Sequence, residues 1–448
     1  NGKGKLHSVT SLDGVKTYSY TKRGQPEGMT LSVAGESFAG RVAYNEWGQV
    51  ASVDYPWPMG EQRFQLKYDY DKHGHRIAVR DKATGDAFWE LTEVDDAGRY
   101  QKELFGNGVT TTRDYFDDKQ ALKSITTTKG ASTIQQASYD WDKQLNLKSR
   151  TDALQSQNKT ERFRYDEVDR LTCAYFGAVD DPLAPCATSY SYMANGNLWS
   201  KSDVGTYSYA DAKHPHAVTN VPGETFSYDA VGNQVMRPGL VTVTYTPFDL
   251  PKTISQGAKM VSFGYDGDEK RIRKTTGNAE TLYFGDIFEQ VTTAAAKEYR
   301  YYVHSPERVI AIVTRGGDEP GTRYVHVDHL GSTDALTDAS GKVVERRSYD
   351  AHGKRRNPKW GEPGGILPGK TTKGFTGHEE DDEFGLVNMR GRIYDARIGR
   401  FTTPDPVIPS IYDGQSFNGY SYTWNNPLTF TDPTGFAPEE LEPGYSWA

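Results

Sequence analysis

Residues 63–79 read Arg63-Phe64-Gln65-Leu66-Lys67-Tyr68-Asp69-Tyr70-Asp71-Lys72-His73-Gly74-His75-Arg76-Ile77-Ala78-Val79. Phe64, Leu66, Tyr68 and Tyr70 fall at every second position, the period of a strand with one buried face. Asp71 to Gly74 is turn chemistry: Asp bonds its own downstream backbone, and Gly accepts positive φ. His75 to Val79 then reads as a second strand. The unit is a β-hairpin. A lone hairpin is marginal in water, so its aromatic face has to be buried against neighbours.

The neighbours are present in the sequence. Tyr20-Thr21-Lys22-Arg23-Gly24 and Tyr44-Asn45-Glu46-Trp47-Gly48 precede the unit, and Val94-Asp95-Asp96-Ala97-Gly98 follows it. Phe116-Asp117, Trp141-Asp142, Tyr165-Asp166 and Tyr192-Met193 continue the series at intervals of about 22 to 27 residues, a period typical of repeat architectures. The interval then shortens through Tyr228-Asp229, Tyr245 and Tyr265-Asp266, and a last clear copy is Tyr349-Asp350-Ala351-His352-Gly353. The expected fold is all-β: a long sheet of hairpins that curls to manage its size and edges.

Composition agrees. The 448 residues are 36% hydrophobic yet include 29 Tyr, apt for a pleated, half-buried surface. A net charge of −8, with no basic stripe, argues against a nucleic-acid binder. No apolar run approaches a membrane span, and the first residues lack the apolar core of a signal peptide. The expectation is export by a route that needs none, or a fragment of a longer chain. Cys173 and Cys186 are too few for a disulfide framework; one local bridge and two ordinary thiols are the alternatives.

Residues 391–436 differ from the repeats. They are dense in aromatics, Asn, Gly and Pro, and they carry two Asp-Pro steps, Asp405-Pro406 and Asp432-Pro433, 27 positions apart. Gly419 to Trp424 between them reads as strand. Asp-Pro alone is a turn former, with Asp opening the turn and Pro fixing φ.

The Tyr-Asp-x-x-Gly hairpins resemble the YD repeats of Rhs proteins, Tc-toxin C-components and teneurins. Pro215-His216-Ala217-Val218-Thr219 is similar to a recurring Rhs element, as is Tyr324 to Thr333. Gly374-Phe375-Thr376-Gly377-His378-Glu379, Met389 to Asp395, Gly399-Arg400-Phe401, Asp405-Pro406, Asn425-Asn426-Pro427 and Asp432 to Phe436 resemble, in order, the Rhs-associated core domain. The resemblance implies a spiralling YD-repeat shell, or part of one, around a hollow interior. It implies repeats over 1–320, a core domain over 321–436 that plugs one end, and the start of a variable toxin or cargo segment over 437–448.

The resemblance also implies an autoprotease that cuts after a DPxG-[Leu/Phe] motif with two aspartates. By position these are Asp405 and Asp432, and the scissile bond is Phe436–Ala437. Two carboxylates sharing a site push one pKa up, so one is the acid while the other activates water. Arg400 is the candidate auxiliary cation. Asp405-Pro406-Val407-Ile408 departs from the family pattern in lacking its Gly. The implied function is encapsulation and delivery of the chain's own C-terminal toxic segment, secreted or delivered to a target cell. The implied partners are a second shell-forming chain or an N-terminal half, and an immunity protein or secretion apparatus. The alternative is a non-catalytic adhesion or scaffold module with a structural cap. No cofactor is implied. His326-Val327-Asp328-His329 lacks converging metal ligands, and the acidic run Glu379 to Glu383 reads as a solvated loop.

Overall fold

The computed structural model describes residues 4–58, 62–155, 159–239, 241–360, 362 and 369–440. Two long antiparallel sheets carry most of them. The first holds eighteen strands, from Ser8–Thr10 to Gly205–Thr206, and the second thirteen, from Ser227–Tyr228 to Val343–Arg346. In both, each strand pairs with its neighbours in sequence, as Pro26–Val33 does with Gly14–Tyr20 and Glu36–Tyr44. Among the described residues, helix is confined to three short 3-10 turns. The chain is all-β, as its alternation requires.

The repeat has a local cause. At the hairpin of residues 63–79, Tyr70 pairs with Arg76 while Asp69 pairs with Ala78, so Ile77 is an extra residue and the exit strand is bulged. The same bulge recurs at Tyr20, Tyr44, Tyr165, Tyr192, Tyr228, Tyr245 and Tyr265. The Asp71 Oδ1 atom accepts the backbone N–H groups of His73 at 2.8 Å and His75 at 2.9 Å, which closes the turn. Gly74 sits at φ +91°, where a Cβ would be strained.

The tyrosine hydroxyl couples one repeat to the previous one. Tyr70 donates to the Val50 carbonyl at 2.7 Å, and Val50 is the residue paired opposite Tyr44. Tyr44 donates likewise to Pro26, Tyr165 to Leu147, Tyr192 to Leu171 and Tyr265 to Pro251. Where the aromatic is Trp141, its indole Nε1–H makes the same contact with the Leu122 carbonyl at 2.7 Å.

The two sheets bury their aromatic faces against each other. Phe38, Tyr55, Phe64, Trp89 and Phe105 of the first share a core with Phe284, Phe288, Tyr301 and Tyr324 of the second. The Phe64 and Tyr301 rings lie 4.8 Å apart. The Tyr55 hydroxyl donates to the Tyr302 carbonyl at 2.7 Å, and Gln135 Nε2 donates to the Val327 carbonyl at 2.9 Å. Glu103, fully buried, accepts from Trp89 Nε1 and is paired with Arg113 and Arg308.

The C-terminal segment wedges against both sheets. Phe375, Met389, Tyr394, Phe401, Tyr422 and Leu428 pack on Trp141, Leu147, Phe163 and Leu198 of the first sheet. Leu386 and Ile393 pack on Val243, Ile254 and Phe263 of the second. A small sheet of Glu379–Asp381, Leu386–Asn388, Ile393–Asp395 and Arg400–Phe401 forms its frame.

Two expectations change and one open alternative is resolved. Glu379, Glu380 and Asp381 form a buried strand, not a solvated loop. Arg271 and Lys274 of the second sheet make this tolerable, reaching Asp381 at 2.9 and 2.8 Å. Gly419 to Trp424 is no strand, apart from one bridge between Ser421 and Arg400. Thr423, Trp424 and Asn425 take φ of 47°, 53° and 64°, and a tight 3-10 turn replaces extension. Cys173 and Cys186 are joined, with Cα atoms 5.5 Å apart across neighbouring parts of one hairpin.

Two outcomes follow for stability. Tyr165→Phe should cost about 1 kcal/mol, because a buried carbonyl loses its donor, whereas Tyr20→Phe, at an exposed copy, should cost a few tenths. Denaturant midpoints at constant slope check both. Glu103→Gln should cost about 3 kcal/mol, since the buried Arg113 and the half-buried Arg308 lose a shared counter-charge. Burial opposes ionisation of Glu103, but Arg113 and Arg308 outweigh it and hold the carboxyl down at about 2. Its depressed pKa makes that stabilisation fully present above about pH 4.5 and lost as pH falls towards 2; the variant should therefore show a shallower acid-unfolding curve across that window.

Candidate active site

The two aspartates meet at an arginine. Asp405 follows the strand Arg400–Phe401, and Asp432 follows Phe430–Thr431. Arg392, at the entry to Ile393–Asp395, lies between them. Its Nη2 atom is 2.7 Å from Asp405 Oδ2 and 3.1 Å from Asp432 Oδ2. Arg392 Nη1 donates to the Gly419 carbonyl at 2.8 Å, and Nε donates to the Gly435 carbonyl. The guanidinium carbon stacks 3.6 Å from the Phe401 ring centre. Arg392 is 3% and Asp432 1% exposed at the side chain, so the triad is shielded from bulk water.

The turn chemistry of the first Asp-Pro step is also real. Asp405 Oδ1 accepts the Val407 N–H at 2.9 Å, and the Asp405 N–H donates to the Gly419 carbonyl at 2.9 Å. The contact uses the backbone of Val407, so the Gly missing after it is not needed for this turn. Burial pushes the Asp405 carboxyl up to about 6, against the pull of Arg392 and the Val407 N–H, with the Asp432 charge adding to the rise. Burial also lowers the pKa of Arg392, against both carboxylates.

Asp432 reaches the bond after Phe436. Its Oδ1 atom accepts the Ala437 N–H at 3.1 Å. The segment between is held in place: the Gly391 N–H donates to the Thr434 carbonyl at 2.9 Å, next to the Arg392 contact with Gly435. Gly435 has φ +78°, and a Cβ there would stand 2.3 Å from the Met389 carbonyl oxygen. The Phe436 ring covers Gly391 so closely that a Cβ on Gly391 would stand 2.3 Å from it. Beyond Ala437 the chain turns back, and Glu439–Glu440 pairs with Phe430–Thr431. Residues 441–448 of the expected variable segment lie outside the described residues.

Arg400 is not part of this group. Its Nη1 donates to Asn425 Oδ1 at 2.8 Å and to the Gly399 carbonyl at 3.3 Å. Arg392 was not singled out by sequence reasoning. Its motif, Met389-Arg390-Gly391-Arg392, was visible, but nothing in the spacing says which of Arg390, Arg392, Arg397 and Arg400 faces the aspartates. The register of Ile393–Asp395 against Arg400–Phe401 decides it. His326, on the second sheet, is hydrogen bonded to Thr337 Oγ1 at 3.0 Å. Among the described residues no group of three or more His, Cys, Asp and Glu side chains is arranged to hold a metal, and no helix is long and apolar enough to cross a membrane.

The chain is 26% identical over 399 residues to the tRNA3(Ser)-specific nuclease WapA of Bacillus spizizenii, a match covering 85% of this chain and 16% of that protein. It is 24% identical over 428 residues to the toxin subunit YenC2 of Yersinia entomophaga, covering 76% of this chain and 42% of that one. The crystal structure of TcdB2-TccC3-TEV superposes over 97% of this chain with a TM-score of 0.63 at 16% identity, and 27% of that chain is covered. The chain therefore spans less than half the length of each of these relatives, and the structural likeness at this identity concerns the fold. The teneurin YD-shell family model matches residues 99–428, most of the described sheets and the C-terminal wedge. The chain belongs to the teneurin YD-shell family.

Proposed function

We propose that this chain is part of a YD-repeat shell that encloses and delivers a C-terminal toxic polypeptide, and that it frees that polypeptide by cutting itself after Phe436. In this reading residues 1–320 are wall, 321–436 are the plug with its protease, and the cargo begins at 437. The observation that carries it is the contact of Asp432 Oδ1 with the Ala437 N–H, at the nitrogen that must leave when the bond breaks. The names of the relatives, a tRNA nuclease and a toxin subunit, support a toxic cargo. Because only part of each relative is covered, the remaining wall comes from further chain or from a second shell-forming protein. An immunity protein or a secretion apparatus belongs to the same reading, as does secretion or delivery into a target cell.

The chemistry asks little more of the residues. A water attacks the Phe436 carbonyl carbon while an ionised carboxylate takes its proton. The Ala437 nitrogen takes a proton from a carboxyl and leaves as an amine. Asp432 stands at that nitrogen. Asp405, pushed up to about 6, holds a proton at mildly acidic pH and is the reserve of acid. Arg392 binds both carboxylates and the Gly435 carbonyl, and so fixes the distance between the acids and the bond.

A second reading uses the same contacts. Arg392, tied to two carboxylates and two carbonyls, is also a structural cross-link, as a non-catalytic adhesion or scaffold module would need. Intact mass separates the two. The wild-type chain made by cell-free synthesis should break between Phe436 and Ala437, and Asp432→Asn, which preserves the shape of the contact, should stay whole. A wild-type chain that stays whole overturns the catalytic reading.

The pH dependence has a definite sign. If protonated Asp405 supplies the acid, cleavage should be near its maximum below about pH 6 and fall about tenfold per unit above it. Asp405→Asn should be slow at every pH. A rate that rises from pH 6 to 8 would rule out Asp405 as the acid.

A further inference from the structure

The segment ahead of the scissile bond offers three successive carbonyls: Pro433, Thr434 and Gly435. Gly391 and Arg392 take the second and third. The first is taken by a side chain from a different element. His378 Nε2 lies 3.3 Å from the Pro433 carbonyl oxygen. His378 precedes the strand Glu379–Asp381, far in sequence from the Asp-Pro steps, and it is 6% exposed.

Burial pushes the pKa of the His378 ring down to about 3, with Arg390 and Lys373 in the same direction and the Pro433 carbonyl and Asp286 opposing, so the imidazole is neutral near pH 7. One nitrogen then carries the hydrogen and the other accepts. A carbonyl only accepts, so Nε2–H faces Pro433. The Nδ1 atom therefore accepts, and Thr376 Oγ1 at 2.8 Å is its donor; the Phe375 carbonyl, 2.9 Å from the same hydroxyl, competes for that single hydrogen, but it already accepts the His378 backbone N–H, whereas Nδ1 has no other donor. Thr376 is itself held in a left-handed conformation at φ 47°, with its N–H on Ser332 Oγ at 3.1 Å. The His378 backbone is fixed as well, its N–H donating to Phe375 and its carbonyl accepting from Gly374 at 2.8 Å. This is a ring locked at both nitrogens and at its backbone, aimed at the residue between Asp432 and the rest of the cleavage motif.

The geometry points to His378 as a positioning residue for self-cleavage: its neutral imidazole, oriented by Thr376, anchors the Pro433 carbonyl and so sets Asp432 against the Ala437 nitrogen. This rests on the reading that the chain cuts itself after Phe436. Proline has no N–H, so the Pro433 carbonyl is the one backbone polar group by which that residue can be held. The grip also differs in kind from the other two. Gly391 and Arg392 hold the motif from the side of the carboxylates, whereas His378 holds it from the small sheet built on the buried acids. Two elements thereby bracket the segment, and a small misplacement of reacting groups costs a great deal of rate, on the order of a hundredfold per ångström.

The test is a time course of intact mass during cell-free synthesis of the full 448-residue chain, with thermal midpoints measured in parallel on each variant carrying Asp432→Asn to keep it whole. His378→Gln, whose amide N–H reaches the same carbonyl, should cleave within about tenfold of wild type. His378→Met, of similar bulk without a donor, should be slower by about a hundredfold. Thr376→Val leaves the imidazole but removes the donor that orients it, and should slow cleavage by about tenfold even if the methionine variant does not fold. Cleavage of the methionine and valine variants at the wild-type rate overturns the inference while leaving self-cleavage intact. Slowing of all three variants in step with their thermal midpoints also overturns it, as loss of structure alone. An uncut wild type overturns self-cleavage itself, and the inference with it.

Discussion

The fold depends on one contact repeated along the chain: an aromatic donor of one hairpin reaching a backbone carbonyl of the hairpin before it. A bulge interrupts the ladder opposite eight of the repeat tyrosines, Tyr349 excepted, and at many copies the carbonyl there is taken by the next repeat's hydroxyl, as Val50 is by Tyr70. Phenylalanine would fill the same space and leave the carbonyl without that donor. The substitution that keeps the contact is a side chain with an N–H at similar reach, which is what Trp141 supplies. The motif thus couples each hairpin to its predecessor, the nearest-neighbour economy of repeat proteins.

Charge is used in two opposite arrangements. In three structural clusters a buried carboxylate meets two cations: Glu103 with Arg113 and Arg308, Glu161 with Arg150 and Arg356, and Asp381 with Arg271 and Lys274, which also reach Glu379 and Glu383. In each, burial favours the neutral acid, yet the paired cations hold it down at about 2. Around Arg392 the stoichiometry is inverted, one cation between two carboxylates. There burial outweighs the pull of Arg392, the Asp432 charge adds to the rise, and Asp405 goes up instead of down. The same balance of burial against charge that holds those three carboxyls down leaves Asp405 raised.

The hairpins were legible because their signal is local. Alternation, Asp and Gly within one window are enough to read residues 63–79 as strand, turn and strand, and the period extends that reading along the chain. The pairing of Asp405 with Asp432 was legible only through resemblance. The arginine was not, because the choice of Arg392 over Arg400 is made by the register of two short strands, which no window contains. The acidic run misled for a related reason. Glu379 to Asp381 looks solvated by composition, and its burial depends on Arg271 and Lys274, more than a hundred residues earlier in the chain. Gly419 to Trp424 misled differently: its aromatic alternation suggests extension, but three consecutive left-handed residues turn it into a knot of buried rings.

The strictly sequential pairing has a consequence for the order in which the molecule is made. Each strand of the first sheet finds its ladder partner within a few tens of residues of emerging from the ribosome. Its buried face has no such luck. Lys16 waits for Asp266, and Tyr55 for Tyr302, roughly 250 residues later. During synthesis a growing sheet therefore has complete hydrogen bonding in its plane and an uncovered aromatic face. The second sheet is what ends that exposure, and the C-terminal wedge, made after both sheets, is what closes the seam.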